Sequence, residues 1–177
     1  MKKVMIVVLA LLIGGVTFSQ KMITRSGEIK FDATVPGAMD PVIANNNTVS
    51  SLFDKSTGDL VVQAMVKSFK FKSPLMEEHF NENYMESDKF PKTSFKGKVI
   101  NYDSKSGNYE VEGELTMHGV TNKVKSKMEI TNEGGKVVIS GAFIVKLNDY
   151  KLEVPALAKK TLAETAKISV KLALENK

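Results

Sequence analysis

Residues 107–118, GNYEVEGELTMH, alternate strictly. Tyr109, Val111, Gly113, Leu115 and Met117 fall on one side, and Asn108, Glu110, Glu112, Glu114, Thr116 and His118 on the other. This period of two is the mark of a half-buried β-strand. The next run, KVKSKMEI, sets Val124, Ser126, Met128 and Ile130 against Lys123, Lys125, Lys127 and Glu129. Near the end of the chain AKISVKLAL repeats the pattern, with Ile168, Val170, Leu172 and Leu174 on one face. In GDLVVQAMVKSFKFK the apolar set Leu60, Val62, Ala64 and Val66 changes parity to Phe69 and Phe71, which predicts a bulge near Lys67–Ser68. GGKVVISGAFIVKL, residues 134–147, is apolar on both faces and predicts a strand that is covered on both sides or lines a shared surface.

Turn chemistry separates the runs. KSTGD (55–59), DSKSGN (103–108) and NEGGK (132–136) combine Gly with Ser, Asn or Asp, as hairpin connections require. Short strands recurring at such intervals favour a barrel or sandwich over βαβ units. The predicted fold is all-β: an antiparallel, roughly eight-stranded barrel with one or two short helices at its mouth. One helix is predicted in KSPLMEEHFNENY, where Ser73 caps, Pro74 opens the first turn and Glu77 and Glu78 meet the positive end of the dipole. Met76, Phe80 and Tyr84 recur at i, i+4 and i+8 as its apolar stripe. A second short helix is placed at PVIANNN or VPALAKKTLAE.

The first residues change the picture of where the protein works. MKKVMIVVLALLIGGVTFSQ pairs two lysines with an apolar run from Val4 to Val16 and then the small residues Thr17 and Ser19. That is the layout of a secretory leader cut after Ser19, with residues 20–177 as one mature domain and the periplasm as the expected location. The run is shorter than the ~20 residues that cross a bilayer. There is no cysteine, so export brings no disulfide framework. The formal charge of +5 loses Lys2 and Lys3 with the leader, and the remaining charges are interspersed. Such a surface is solvated and points to no nucleic-acid partner.

Few residues suggest chemistry. His118 precedes Gly119 at a turn and lies on the polar face of its strand, which makes it a structural residue more readily than a base or ligand. His79 shares a helix face with Glu82, a spacing that can hold a metal only with a further ligand, and none is evident. No G-x-S-x-G elbow, phosphate-binding glycine loop or cysteine nucleophile occurs. Asn46–Thr48 matches a glycosylation sequon, a motif too short to weigh. What stands out instead is an apolar inventory of nine Phe and nine Met without Trp. These fill an ordinary core, or they line a barrel in which inward Gly113, Gly141 and Ala64 leave room for an apolar ligand.

Three segments in order, SDKFPKTSFKGKV (87–99), YEVEGELTMHGVTNKV (109–124) and GAFIVKLNDYKLEVP (141–155), resemble the YceI-like family of exported, polyisoprenoid-binding proteins. The signature pieces are Phe90-Pro91 and then Gly113, Leu115, Thr116, His118, Gly119, Val120 and Thr121. The chain departs from the family in LNDYKLEVP, with Asn148, Tyr150 and Lys151, and in lacking an N-terminal tryptophan strand. The resemblance implies a lipocalin-like barrel with an apolar tunnel that holds a long isoprenoid chain, such as a quinone or a prenyl phosphate tail. On the inward parity, the expected cavity wall is Val62, Ala64, Val66, Phe69, Phe71, Val111, Leu115, Phe143 and Val145, with Leu75, Met76 and Phe80 as a lid. The expected role is sequestration of an apolar lipid, with no catalytic residue, metal or cofactor beyond that ligand. A membrane surface is the expected place of lipid exchange, and the number of copies, a dimer included, stays open. Two other readings stand beside it: an enzyme, a hydrolase or isomerase, using the same cavity with His79 or His118, and a ligand-free structural or interaction module.

Overall fold

Alternation along the chain becomes curvature in three dimensions, because a twisted sheet with one apolar face can close on itself. The computed structural model describes residues 21–177; the leader expected at 1–19 lies outside the described residues. Strands β1 (Lys21–Thr34), β2 (Ile43–Asp54) and β3 (Asp59–Met65) are followed by the two-residue β4 (Lys70–Phe71) and the helix α1 (Pro74–His79). Then come β5 (Lys92–Val99), β6 (Gly107–Met117), β7 (Val120–Glu133), β8 (Lys136–Lys146) and β9 (Leu162–Asn176). The sheet order is β1-β9-β8-β7-β6-β5-β3-β2, and β1 also pairs with β2. Every pairing is antiparallel, so eight long strands close a barrel, with β4 added beside the start of β2.

Register fixes which residues face inward. Val62 lies opposite Phe95, Phe95 opposite Leu115, Gly113 opposite Val124, and Phe143 opposite Ile168. The outward set on β6 and β7 forms charge pairs instead, with Lys125 bridging Glu110 at 2.6 Å and Glu112 at 2.7 Å. One end of the barrel, carrying the β2–β3, β5–β6 and β7–β8 turns, is packed solid. Met22, Phe53, Ile130 and Leu174 are fully buried there. Phe53, Tyr102 and Tyr109 stack edge to face across it at 5.1 and 5.2 Å. Tyr102 donates to Asn132 Oδ1 at 3.0 Å, and burial raises its phenol above the usual range. The other end is the mouth, roofed by the β1–β2 connection, the segment 66–91 with α1, the β6–β7 hairpin and the long β8–β9 connection.

Several local expectations are corrected. The parity change at Lys67–Ser68 is not a bulge: β3 ends at Met65, and a 3₁₀ turn at Val66–Ser68 carries the chain off the barrel wall. PVIANNN is the start of β2, and VPALAKKTLAE holds only a single 3₁₀ turn at Ala156–Ala158, so α1 is the one α-helix among the described residues. Its cap is as expected, Ser73 accepting from Met76 N. The helix widens into a π turn at Phe80–Tyr84. The outer face of β8 is not covered, since Ile144 is 71% exposed. Asn46 of the sequon is fully buried: its amide donates to Met65 O, and its Oδ1 accepts from Thr48. It braces the backbone and offers no acceptor site.

Gly97 and Gly113 face each other across β5 and β6. A Cβ on Gly113 would stand 2.5 Å from Gly97 Cα and 2.7 Å from Phe95 Cζ. The strands meet too closely there for a side chain, and the Phe95 ring fills the space above the pair, a pairing that shields glycine backbone in curved sheets. Gly113→Ala should therefore destabilise the barrel by about 1–3 kcal/mol, seen as a lower denaturation midpoint; an unchanged midpoint would mean that β5 and β6 separate freely.

Candidate functional site

The inward residues leave an apolar cavity of about 110 Å³ in the middle of the barrel. Its wall draws on every long strand but β2: Ile29 and Phe31 of β1, Leu60, Val62 and Ala64 of β3, Phe95 of β5, Val111, Leu115 and Met117 of β6, Val124 of β7, and Val145 and Val170 of β8 and β9. Thr93, Ser94 and Ser126 are its polar side chains. Ser126 turns its hydroxyl to Ala142 O at 3.3 Å, and Thr93 donates to Thr116 O at 3.0 Å, so both are engaged with backbone. A second space of about 200 Å³ lies at the mouth, between α1, the β1–β2 connection and the β8–β9 connection. It is lined by Val42, Phe71, Met76, His79, Tyr84, Leu147, Leu152 and Ala158, among others.

Phe31, Phe80 and Met85 line both spaces and form the partition between them. Phe80 is its centre, with ring centroids 5.8 Å from Phe31, 5.9 Å from Phe69 and 5.0 Å from Phe71. These contacts are dispersion and quadrupole contacts with no directed hydrogen bond, so the partition can repack without leaving a polar group unpaired. An apolar cavity of ~150 Å³ holds a ligand the size of benzene. The inner space as it stands thus takes a short apolar segment, and a long chain needs both compartments with Phe80 turned aside.

Of the expected wall, Val62, Ala64, Phe69, Val111, Leu115, Phe143 and Val145 line the inner cavity. Phe71 lines the mouth space instead, because the 3₁₀ turn has moved it off the barrel wall. Val66 is fully buried but lines neither space; its N–H donates to Pro91 O at 2.9 Å, in the anchor of the 66–91 segment. In the expected lid, Phe80 and Met76 face the compartments, while Leu75 lines neither and is 59% exposed. The room expected above two glycines is taken, by the Phe95 ring at Gly113 and by the Met128 sulfur at Gly141. Ile168, Val170, Leu172, Val124 and Met128 belong to the wall through the same alternation that marks their strands. Phe31 could have been found the same way, since Ile29, Phe31 and Ala33 alternate with Glu28, Lys30 and Asp32, whereas Met85 carries no comparable signal, because its role depends on how the mouth packs.

His118 is not an outer-face residue. With Gly119 it forms the two-residue turn joining β6 to β7, at φ of 50° and 72°. The turn swings its ring back among the mouth segments, where the side chain is 11% exposed. Nε2 lies 2.8 Å from Glu86 Oε2, Nδ1 lies 3.1 Å from Tyr150 O, and the Phe90 ring packs edge to face at 4.7 Å. The hydrogen bond from His118 holds the Glu86 carboxyl below the usual carboxylate range, with Lys89 assisting. Gly119 is required twice, for its positive φ and because a Cβ would meet the Phe90 ring. His79 stands apart in the wall of the mouth space. Among the described residues, no cluster of three His, Asp or Glu side chains is placed to hold a metal.

Comparisons with known proteins agree with this geometry. The structure superposes on a polyisoprenoid-binding domain from Saccharophagus degradans implicated in plant cell wall breakdown, with a TM-score of 0.75 over 89% of this chain and 99% of that one, at 11% identity. BcnA of Burkholderia cenocepacia matches with a TM-score of 0.70 at 15% identity, over 83% of this chain and 95% of its own. The YceI protein of Campylobacter jejuni matches with a TM-score of 0.63 at 18% identity, over 76% and 85%. No protein of curated function matches the sequence. At these identities the likeness shows the fold. The sequence profile of the YceI-like domain, however, matches residues 16–174, nearly the whole chain. Phe90-Pro91 and His118-Gly119, the two halves of the signature, meet in one contact at the mouth, and the chain belongs to the YceI-like family.

Proposed function

We propose that this protein is a carrier that sequesters a long apolar lipid, an isoprenoid quinone, prenyl phosphate or fatty chain, and that it works in the periplasm after export by the leader at 1–19. The observation that carries the reading is the pair of adjoining apolar compartments, separated only by Phe31, Phe80 and Met85. Each methylene taken from water into such a space is worth about 0.8 kcal/mol before ordering costs. A chain of several isoprene units then binds without a directed polar contact. The polyisoprenoid-binding description of the Saccharophagus degradans domain supports the ligand class.

The mouth supports exchange at a membrane surface. Met39 and Leu157 are 96% and 97% exposed, and Leu75 is also exposed. They stand on the β1–β2 connection, the β8–β9 connection and α1. Those same segments turn Val42, Ala158 and Met76 into the mouth space. Each roof segment thus carries one apolar side chain exposed to solvent and one turned into the mouth space, which suits a lipid that must leave one apolar phase for another.

Native mass spectrometry of protein purified from its exporting host should find an apolar molecule bound. Ala64→Phe, which fills the inner space, should lower affinity for a farnesyl chain more than about tenfold with the fold retained by circular dichroism. A consistently empty barrel would sink the carrier reading. Phe80→Ala removes the partition, and titration with chains of increasing length should then favour the longer ones; an unchanged length preference would place the chain elsewhere. Replacing Met39, Leu75 and Leu157 together by Ser should slow transfer of the bound chain to phosphatidylcholine vesicles with little effect on affinity. Transfer at the original rate would remove the membrane encounter.

A further inference from the structure

His118 joins three mouth segments, and both of its ring nitrogens face acceptors. Nε2 meets the Glu86 carboxylate and Nδ1 meets the Tyr150 carbonyl. An ionised carboxylate and a carbonyl only accept, whereas a neutral imidazole has one N–H and one lone pair. The neutral ring can serve one partner and must point its lone pair at the other. Only the imidazolium makes both bonds.

We propose that His118, Glu86 and Tyr150 form a proton-operated latch on the roof of the cavity, closed when His118 is charged and loosened on one side when it is neutral. The neighbours of the latch are the cavity's own boundary. Met85, before Glu86, lines both compartments; Met117, before His118, lines the inner one; Leu147 and Leu152, flanking Tyr150, line the mouth space. Opening the latch frees the segment that carries Phe80 and Met85.

Backbone conformation supports the same assignment. Among the described residues five non-glycine residues have positive φ, and three of them gather here: Glu86 at 42°, His118 at 50° and Lys151 at 58°. Such residues persist where the surroundings over-determine them, and they collect at switch regions. The charged groups around the ring are few. On its own segment Glu86 has Lys89, at 3.7 Å from its other oxygen and over the Phe90 ring. From the β8–β9 connection, Asp149 and Lys151 flank Tyr150, whose phenol is raised by burial and stays protonated. From the β6–β7 hairpin, Asn122 donates to Asp149 O at 2.7 Å.

The direction of the effect follows. Glu86 is depressed, so it stays ionised through the mildly acidic range, and its contribution is lost only as the pH falls through its lowered value. His118 contributes both bonds while protonated and loses one as the pH rises. The latch is complete when His118 is an imidazolium and loosens when the ring loses its proton, in the direction of rising pH.

The regulatory role rests on the lipid-carrier reading, whereas the latch itself is defined in ligand-free protein. Amide hydrogen exchange of residues 80–90 in the full, ligand-free chain, corrected for intrinsic rates, tests it at about pH 5.5 and about pH 8. Protection should be about fivefold lower at the higher pH, the equivalent of one hydrogen bond. His118→Asn keeps the left-handed turn, which Asn tolerates, but cannot span both partners; its protection should be low and independent of pH. In Glu86→Gln the amide presents either a donor or an acceptor, so neutral His118 retains both partners and protection should stay high at pH 8. Equal protection of the wild-type chain at both values, or a pH difference that survives His118→Asn, overturns the latch. Release of a fluorophore-tagged farnesyl chain is followed at the same two values and should be faster at the higher one. Release at one rate throughout overturns the control of access, and pH-dependent protection in a protein that never binds the probe upholds the latch while rejecting the lipid reading.

Discussion

Strand β1 hydrogen-bonds on both of its edges, to β2 on one side and β9 on the other, and everything else follows from that closure. An open sheet with one apolar face has to find a covering layer, whereas a closed one supplies its own. Closure also removes the unpaired edges that would otherwise invite association. The cost appears in β1 itself, whose register slips near Gly27 against both partners. Gly27 sits at that slip with no room for a Cβ, which would meet Leu172 at 2.7 Å and Val49 O at 3.1 Å. The strand bends where it has no side chain, and the bend lets one ladder serve two neighbours.

Once closed, the barrel is asymmetric along its axis. At the turn end, fully buried Phe53, Met22 and Ile130 and the stacked Tyr102 and Tyr109 pack against one another. At the mouth, long connections have to do what strands do elsewhere, and they fill the opening with softer contacts. Cavity and partition both lie toward this looser half. A packed base gives the wall rigidity, and the loosely roofed mouth gives the interior an entrance.

The strands β6, β7 and β9 were legible in the sequence because each carries a long run with a period of two. From Val111 to Met117 and from Ile168 to Leu174 the apolar parity is the inward parity without exception. The mouth was not legible, for reasons that differ residue by residue. Phe71 and Phe69 are two apart in sequence, yet they line different compartments, because Phe69 ends the 3₁₀ turn and Phe71 already pairs with Ala44 in β4. Leu75 and Met76 are equally apolar, and only the rotation of a short helix decides which faces inward. His118 follows the outward parity of β6 up to the last residue, and then a left-handed turn reverses its direction. Alternation describes a strand and stops being informative where the strand ends. The resemblance to the YceI-like family named His118-Gly119 and Phe90-Pro91 as signature pieces, but that they touch is visible only in the fold.

That contact joins the two pieces in the fold. The β6–β7 turn needs a glycine second, because of its φ and because the Phe90 ring lies where a Cβ would be. Its first residue must tolerate a left-handed backbone while reaching polar groups on two other segments. Histidine does both. Asparagine shares the backbone tolerance but lacks the length, and longer side chains lack two fixed nitrogens pointing in opposite directions. The polar contacts of the mouth are thereby gathered at its perimeter, at Glu86, His118 and Tyr150, while the partition over the cavity is left to Phe31, Phe80 and Met85. Polar groups buried over an apolar ligand would have to lose their partners whenever the roof opened, at a cost of about 1–3 kcal/mol for each group left unpaired. Of the three, only Glu86 is open to water, which can take its side of a broken bond, while His118 and Tyr150 are largely buried and hold the fixed side of the contact.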